Sequence, residues 1–203
     1  MRTCRWWFPP CLTLLLSVAG AAGADTNSFR WATNYYTVTG STLEELHASL
    51  REAPPWKGKS VFVGMTDWRI DWRYRVGGTP GVDGCSCTSF TTQVSIVTTL
   101  PRWQPTPEAA PEVVADWNRF IRALGEHEHG HARLALAALA DVRHRVKNMG
   151  TDPDCRALGR RIEEVVNRAI AEHRARDRDY DVRTRHGANQ GAALSPPGRG
   201  TGR

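Results

Sequence analysis

The chain has 203 residues, a formal net charge of +6, 40% hydrophobic residues and 24% charged residues. That length suits one domain, and a composition this ordinary excludes a wholly disordered or collagen-like chain. No run of about 18 uninterrupted apolar residues is present, so no membrane-spanning helix is expected. The mild positive charge is spread along the chain and does not indicate a nucleic-acid partner.

The first 24 residues predict a secretory signal peptide. Arg2 and Arg5 form a basic start, residues 11–20 are apolar, and Ala22-Gly23-Ala24 supplies the small residues of a cleavage site. We therefore expect the mature protein to begin at Asp25 and to be secreted or periplasmic.

Three cysteines remain after the signal is removed, namely Cys85, Cys87 and Cys155. An oxidising compartment favours a disulfide, and Cys85 and Cys87 are too close along a strand to bridge each other comfortably. We therefore expect Cys155 to pair with either Cys85 or Cys87 and one thiol to stay free. A Cys-x-Cys metal site is the weaker hypothesis because the chain has no second cysteine pair.

The β-rich part of the mature chain, residues 25–105, predicts a small antiparallel sheet. Residues 31–38 are rich in aromatic and β-branched types and predict a strand, and a capping-box pattern then begins a short helix that ends near Glu52. From Trp68 to Val76 apolar residues alternate with charged ones, which indicates a strand with one buried face. Further strands are expected at 61–64 and 88–100, with a loop at 77–84.

The helical part, residues 111–182, follows a proline-rich bridge. Apolar residues from Glu112 to Met149 recur at helical spacing and form one inward stripe. Gly150 ends this helix and Asp152-Pro153 begins a second one. Its stripe fades after about Asp181, and residues 189–203 predict a disordered tail.

Within the first long helix, His127, Glu128 and His131 match the pattern H-E-x-x-H. Residues four apart share a helix face, so both imidazoles can reach one metal ion, whereas His129 points away. Glu128 lies on the same side, where its carboxylate can accept a proton from a water that the metal acidifies. Because the motif continues the inward stripe, its polar groups need a partner such as a metal. We predict a zinc site with Glu128 as the general base.

A catalytic zinc usually has three protein ligands and one open position. Two histidines compete to be the third ligand. A turn near Thr151 would bring residues 171–175 level with residues 131–127, which places His173 near the site. His186 follows the second helix, and the chain would have to fold back for it to reach the metal. The predicted helix pairing slightly favours His173.

Several short motifs follow one another along most of the mature chain. They are Tyr35-Tyr36-x-Val38-x-Gly40, Leu43-Glu44-Glu45-Leu46, Thr66-x-Trp68, Trp72-x-Tyr74, Leu100-Pro101-x-Trp103, Trp117-x-x-Phe120, His127-Glu128-x-Gly130-His131 and Tyr180-Asp181-x-x-Thr184-x-His186-Gly187-x-x-Gln190-Gly191. In this order they resemble a bacterial family of unknown function that is predicted to consist of secreted zinc-dependent proteases. The late His-Gly pair belongs to the resemblance and His173 does not. The resemblance therefore implies His127, His131 and His186 as ligands of Zn²⁺.

The expected fold is α+β, a single domain over residues 25–188 in which the sheet packs with the H-E-x-x-H helix and a second antiparallel helix in a zincin-like arrangement. The expected activity is that of a zinc metallopeptidase acting on a protein or peptide substrate. Tyr180 is a candidate donor to the oxyanion, although packing at the helix end explains it better. Two alternative functions stay open: a non-catalytic zinc-binding envelope protein, and a zinc amidase acting on peptidoglycan peptides.

Overall fold

The structure, a computed structural model, describes residues 28–56, 62–80 and 82–197. The predicted signal peptide lies outside these residues. In chain order the elements are β1 (Ser28–Val38), α1 (Leu43–Glu52), β2 (Met65–Thr79), β3 (Gly84–Trp103), α2 (Pro111–Lys147), α3 (Cys155–Thr184) and a 3₁₀ turn, η1 (Ala188–Gln190). The predicted α+β class is confirmed.

The three strands form a mixed sheet in the order β1-β3-β2. The prediction of an antiparallel sheet is therefore wrong for one of the two pairings. β2 and β3 form an antiparallel hairpin, whereas β1 runs parallel to β3, from Ser28 opposite Gln93 to Val38 opposite Trp103. A parallel pair needs a long connection, and α1 together with β2 supplies it.

The predicted alternation in β2 is confirmed and decides which sheet face the helices cover. Trp68 and Ile70 are buried and pack with Val94 and Ile96 of β3. Three alanines of α2 complete this cluster, and their small side chains let the helix lie close to the sheet. On the opposite face Arg69 is exposed to solvent.

Several strand boundaries differ from the prediction. β1 begins at Ser28 instead of residue 31, and the ends of β2 at Thr79 and of β3 at Gly84 occupy much of the predicted loop at 77–84. Residues 62–64 precede β2 without forming a strand, and residue 61 lies outside the described residues. β3 continues through Pro101 to Trp103 instead of ending at Leu100. The pairing with β2 stops at Met65 opposite Thr99, so the missing N–H of Pro101 interrupts no ladder on that side.

Helices α2 and α3 lie against each other in antiparallel directions, each with one buried stripe. In the described part of the chain, no helix has both the length and the apolar character needed to cross a bilayer. The stripe of α2 includes two histidines and a glutamate, and these belong to the site described below.

A disulfide between Cys85 and Cys155 joins the start of β3 to the start of α3 across 70 residues of sequence. The predicted disulfide is confirmed, and Cys87 is the free cysteine among the described residues. Burial raises the pKa of the Cys87 thiol. The backbone of Asp152 also pairs with Cys85 through hydrogen bonds of 2.7 and 2.9 Å, so the connector between the helices is fixed to β3.

After α3 the described chain continues through η1 and a docked segment, which differs from the disorder predicted from residue 189 onward. Residues 188–195, here called the C-terminal strap, lie against α1 and the first half of α2. Ala192 and Leu194 are only 6% and 7% exposed. They are buried in a hydrophobic cluster that includes Leu50 of α1 and Phe120 of α2. Two isolated apolar residues produce no periodic pattern, so this docking has no signal in the sequence. Residues 198–203 lie outside the described residues.

Two side chains of α2 hold the strap in place. Asp116 accepts hydrogen bonds from the backbone N–H and the hydroxyl of Ser195, at 2.7 and 3.0 Å. Arg119 donates to the carbonyl oxygens of Gly191 and Ala193, at 2.9 and 2.8 Å. These bonds satisfy backbone groups that a docked segment without regular structure would otherwise leave unpaired.

Candidate metal centre

Helix α2 carries the H-E-x-x-H residues on its buried side. His127 and Glu128 are each 2% exposed and His131 is 5% exposed. The four-residue spacing aligns the two imidazoles on one face, and their rings lie edge to face with centroids 4.8 Å apart. This part of the predicted geometry is present in the fold.

A carboxylate of α3 completes a group of three ligand atoms. Nε2 of His131 lies 3.3 Å from Nε2 of His127. Oδ1 of Asp181 lies 3.2 Å from Nε2 of His127 and 3.0 Å from Nε2 of His131. Ligands bound to one tetrahedral zinc at 2.0–2.1 Å are separated by about 3.3 Å. His127, His131 and Asp181 could therefore hold a metal ion.

The other nitrogen of each imidazole has its own acceptor. Nδ1 of His131 lies 2.8 Å from Oδ1 of Asp177, and Nδ1 of His127 lies 3.0 Å from Oε1 of Gln190. An acceptor at Nδ1 keeps the proton there and leaves the lone pair of Nε2 free for a metal. The indole N–H of Trp68 donates to the second oxygen of Asp177 and fixes that carboxylate in turn.

The ionisation of this group follows from its hydrogen bonds. Burial alone would raise the pKa of Asp181, but hydrogen bonds with His127 and His131 hold it well below its usual range. Burial alone would lower the pKa of His131, but its bonds with Asp177 and Asp181 outweigh this and raise the pKa to about 10. Without a metal the cluster thus holds a proton, and a cation bound at Nε2 would take that proton's place.

Glu128 differs from its neighbours because one of its oxygens is unsatisfied. Oε2 is buried and has no hydrogen-bond partner among the described residues. Burial raises the pKa of Glu128, and a hydrogen bond with Thr66 and the nearby histidine charges oppose that shift. A Cβ at Gly64 would come within 2.7 Å of Oε1, so the glycine makes room for the carboxylate.

The ligand atoms and Glu128 face a cavity of about 440 Å³. One wall is apolar and the other carries the polar site. The apolar wall comes from α1, α2, the segment before β2 and the strap; it includes Leu50, Phe62, Val63, Phe120, Leu124, Ala192 and Leu194. The cavity is large enough for an amino-acid side chain beside the polar site.

His186, which the sequence predicted as the third ligand, lies at the edge of this group. Its side chain is 47% exposed, and its Nδ1 is 3.3 Å from Oδ1 of Asp181. Its ring lies against Phe62, with centroids 4.5 Å apart. Asp181 supplies the third atom of the group that could hold a metal ion, and His186 as a ligand stays a prediction.

His173, the other candidate, is buried far from the site. Its Nε2 lies 3.1 Å from Asp141, which is about 15 Å further along α2 than His131. The predicted pairing of residue 171 with His131 is therefore wrong, because His131 faces Asp177 instead. The connector between the helices pairs with β3 through Asp152, a contact that the prediction of a simple turn near Thr151 did not include.

Tyr180 packs against His127 of the candidate site. Its ring stacks on that of His127 with centroids 5.0 Å apart, and its hydroxyl contacts the carbonyl of His127 and the side chain of Gln190. It is not among the residues that line the cavity, which favours packing over oxyanion donation. A side chain at Gly130 would collide with the Tyr180 hydroxyl, so this glycine lets the tyrosine lie against α2.

The sequence interpretation missed the roles of Asp177 and Asp181. A signal for them does exist in the stripe of α3. Its buried residues Val166, Ala169 and His173 continue at helical spacing to these two aspartates. Carboxylates in an inward stripe, on the helix that packs against two inward histidines, indicate a shared polar site.

A family model described as "Bacterial protein of unknown function (DUF922)" matches residues 33–187, a range that includes the three ligand residues, Glu128 and Asp177. No curated protein and no solved structure gives a significant match. Since the family model covers most of the sequence, the chain belongs to this bacterial family of unknown function.

Proposed function

We propose that the protein is a secreted zinc-dependent hydrolase of peptide bonds, with a zincin-like site made by His127, His131 and Asp181 and with Glu128 as the general base. The observation that carries the proposal is the buried, unpartnered Oε2 of Glu128 beside three convergent ligand atoms. A buried carboxylate oxygen without a partner costs free energy that a purely structural role would not require.

The donor set fits zinc. Two imidazoles and one carboxylate are typical of a catalytic zinc site, whereas a structural zinc usually has four protein ligands. A zinc ion bound there would supply Lewis acidity, lowering the pKa of a water and polarising the substrate carbonyl. The three-ligand group and the free glutamate favour a hydrolase over a non-catalytic zinc-binding protein.

The chain's own residues divide the remaining work. Glu128 accepts the proton of the attacking water and delivers it to the leaving nitrogen. Its pKa, raised by burial, suits a group that must hold a proton between these two steps. Asp177 and Gln190 keep the two imidazoles in one orientation, and the apolar wall excludes bulk water.

Secretion is part of the proposal. The disulfide fits an oxidising compartment, and the first 24 residues have the pattern of a signal peptide. Proteins and peptidoglycan peptides both present amide bonds in such a compartment, so a test needs both kinds of substrate.

The test compares the mature chain from Asp25 with Glu128→Gln and, as a matched control, with Glu126→Gln, an exposed glutamate on the same helix. Zinc content is measured by plasma mass spectrometry, and cleavage of protein, peptide and peptidoglycan-peptide mixtures by mass spectrometry. We expect Glu128→Gln to keep zinc and to lose at least about 100-fold in rate, and Glu126→Gln to behave as the wild type. Equal rates in both variants would refute the role of Glu128.

A second comparison identifies the third ligand. Asp181→Asn should release zinc to a chelator faster than the wild type, and His186→Ala should not. The opposite result would assign the position to His186. If His127→Ala and His131→Ala both retained zinc, the metal would lie elsewhere and the proposed function would fail.

A further inference from the structure

We propose that Arg51 and Arg185 bind a carboxylate of the substrate at the mouth of the cavity, so that the enzyme prefers acidic peptides; this inference rests on the proposed hydrolase function. Both side chains line the same cavity as Glu128 and the three ligand atoms. They enter it from different elements, one from the end of α1 and one from the end of α3.

Arg51 lies in the last turn of α1 and is exposed to solvent. Within the described ranges it makes no ion pair and no side-chain hydrogen bond. Four residues earlier, His47 is tied to the carbonyl of Ser195 at 2.9 Å, which fixes this end of α1 to the strap that lines the cavity. The anchored helix therefore places Arg51, whose guanidinium is unpaired among the described residues, along the lining of the cavity.

Arg185 is held in a conformation that an arginine seldom adopts. It caps α3 with a φ of 51°, and the next residue, His186, has a φ of 52°. Glycine is the usual residue at such a left-handed helix end, because a side chain there is strained. Backbone strain of this kind is concentrated at functional sites, where the direction of a side chain matters.

The acidic groups of the cavity do not neutralise these two arginines. Asp177 is engaged by His131 and Trp68, and Asp181 by His127 and His131. Among the described residues no carboxylate lies within ion-pair distance of either guanidinium, although Arg185 follows Asp181 by one helical turn. Two unpaired guanidinium groups thus line a cavity in which Asp177 and Asp181 are engaged by histidines and the carboxylate of Glu128 lies within ion-pair distance of neither arginine.

A guanidinium recognises a carboxylate through two parallel N–H···O bonds, and two guanidinium groups strengthen that selection. The carboxylate can belong to an acidic side chain or to the C-terminus of the substrate, since both have the same chemistry. The apolar wall between the rim and the site would accept a neighbouring hydrophobic side chain.

Three dansylated tetrapeptides separate these sources: Ala-Phe-Ala-Gln as the amide, Ala-Phe-Ala-Glu as the amide, and Ala-Phe-Ala-Gln as the free acid. Their binding to the Glu128→Gln protein is measured by fluorescence anisotropy, and their cleavage by the wild type is measured separately. We expect at least one carboxylate probe to bind about tenfold more tightly than the neutral amide. The preferred probe identifies the source of the carboxylate.

Arg51→Gln and Arg185→Gln, introduced together into the Glu128→Gln protein, should abolish that preference. The affinity for the neutral probe should not change. Arg122→Gln is the matched control, because Arg122 is exposed on α2 but does not line the cavity. Equal binding of all three probes, or no binding of the carboxylate probes, would overturn the inference even if the wild type cleaves peptides. A preference that depends on the two arginines, without any cleavage, would uphold the inference and contradict the proposed function.

Discussion

The two ends of the α2–α3 pair bury their facing side chains to a similar degree but with opposite chemistry. The end near the connector is apolar and is closed by the Cys85–Cys155 disulfide; its buried residues include Val142, Val146, Leu158, Ile162 and Val166. The other end buries two histidines and a glutamate against two aspartates. Burying an apolar side chain stabilises by about 1.5–3 kcal/mol, whereas a buried charge costs free energy unless it is paired. The apolar end therefore supplies stability that the polar end needs.

A third buried histidine, His173, shows that composition alone does not make a metal site. His173 is as buried as His131, but its Nε2 shares Asp141 with Arg145, and its Nδ1 has no partner among the described residues. His131 has a carboxylate at each nitrogen and a second imidazole 3.3 Å away. Convergence of several ligand atoms, rather than a buried histidine beside an acid, distinguishes the candidate site.

The largest expected effect is at the apolar end. Replacing Cys85 and Cys155 by alanine, in a Cys87→Ser background, should lower the free energy of unfolding by about 4 kcal/mol, because the disulfide closes a loop of 70 residues. Denaturant unfolding measures the loss, and Cys87→Ser alone is the control. Zinc affinity should stay the same; a parallel loss of zinc would show that α3 couples the two ends.

At the polar end, Leu194→Ala should lower the free energy of unfolding by about 2–3 kcal/mol. The leucine is buried in the cluster between the strap and α2, and its removal leaves a cavity. Thermal unfolding checks this, with Pro197→Ala as the control, because Pro197 is exposed and lies past the docked part of the strap. An unchanged melting temperature would mean that the strap is not docked in solution.

The metal-free protein should lose about 2 kcal/mol of stability between about pH 7.5 and pH 9. The pKa of His131 is about 10 in the folded chain and about 6.5 when unfolded, so its contribution is complete below pH 6.5 and declines as pH rises toward 10. The lowered pKa of Asp181 also stabilises the folded chain. This contribution is complete above about pH 4 and is lost only as the pH falls below that value. Unfolding measured across pH should show this decline, and His131→Asn should flatten it.

The smallest effect concerns a side chain that does not touch the metal. Gln190→Ala should weaken zinc binding by about tenfold, because Nδ1 of His127 loses its acceptor and the imidazole its fixed orientation. Competition with a chromogenic chelator measures the change. Asn189→Ala is the control, since the Asn189 amide donates to the carbonyl of Arg183 instead. Equal zinc affinity of Gln190→Ala and Asn189→Ala would show that the strap does not position His127.

The sequence predicted those parts of the fold and site that depend on local periodicity. The alternation of β2, the stripes of both long helices and the shared face of His127, Glu128 and His131 all follow from residue spacing. Asp181 as a ligand did not, because its position opposite His131 depends on the register between the helices. That register appears in contacts between distant parts of the chain, such as His131 with Asp177, and residue spacing within one helix does not report it. The parallel direction of β1 likewise depends on its tertiary contacts with β3, and no periodicity in the sequence indicates it.

Cys85 and Cys87 offer Cys155 two thiols on the same side of β3, since residues two apart in a strand point the same way. The two ring closures differ by only two residues in about 70, so chain entropy hardly distinguishes them while the polypeptide is still unfolded. In the folded chain Asp152 pairs with Cys85, and this pairing places Cys155 beside Cys85 rather than Cys87; we therefore expect the choice between the two thiols to follow that pairing. Oxidative folding of the chain should then pass through a mixture of bridged isomers that thiol exchange resolves, and a disulfide isomerase in the same compartment would speed that exchange.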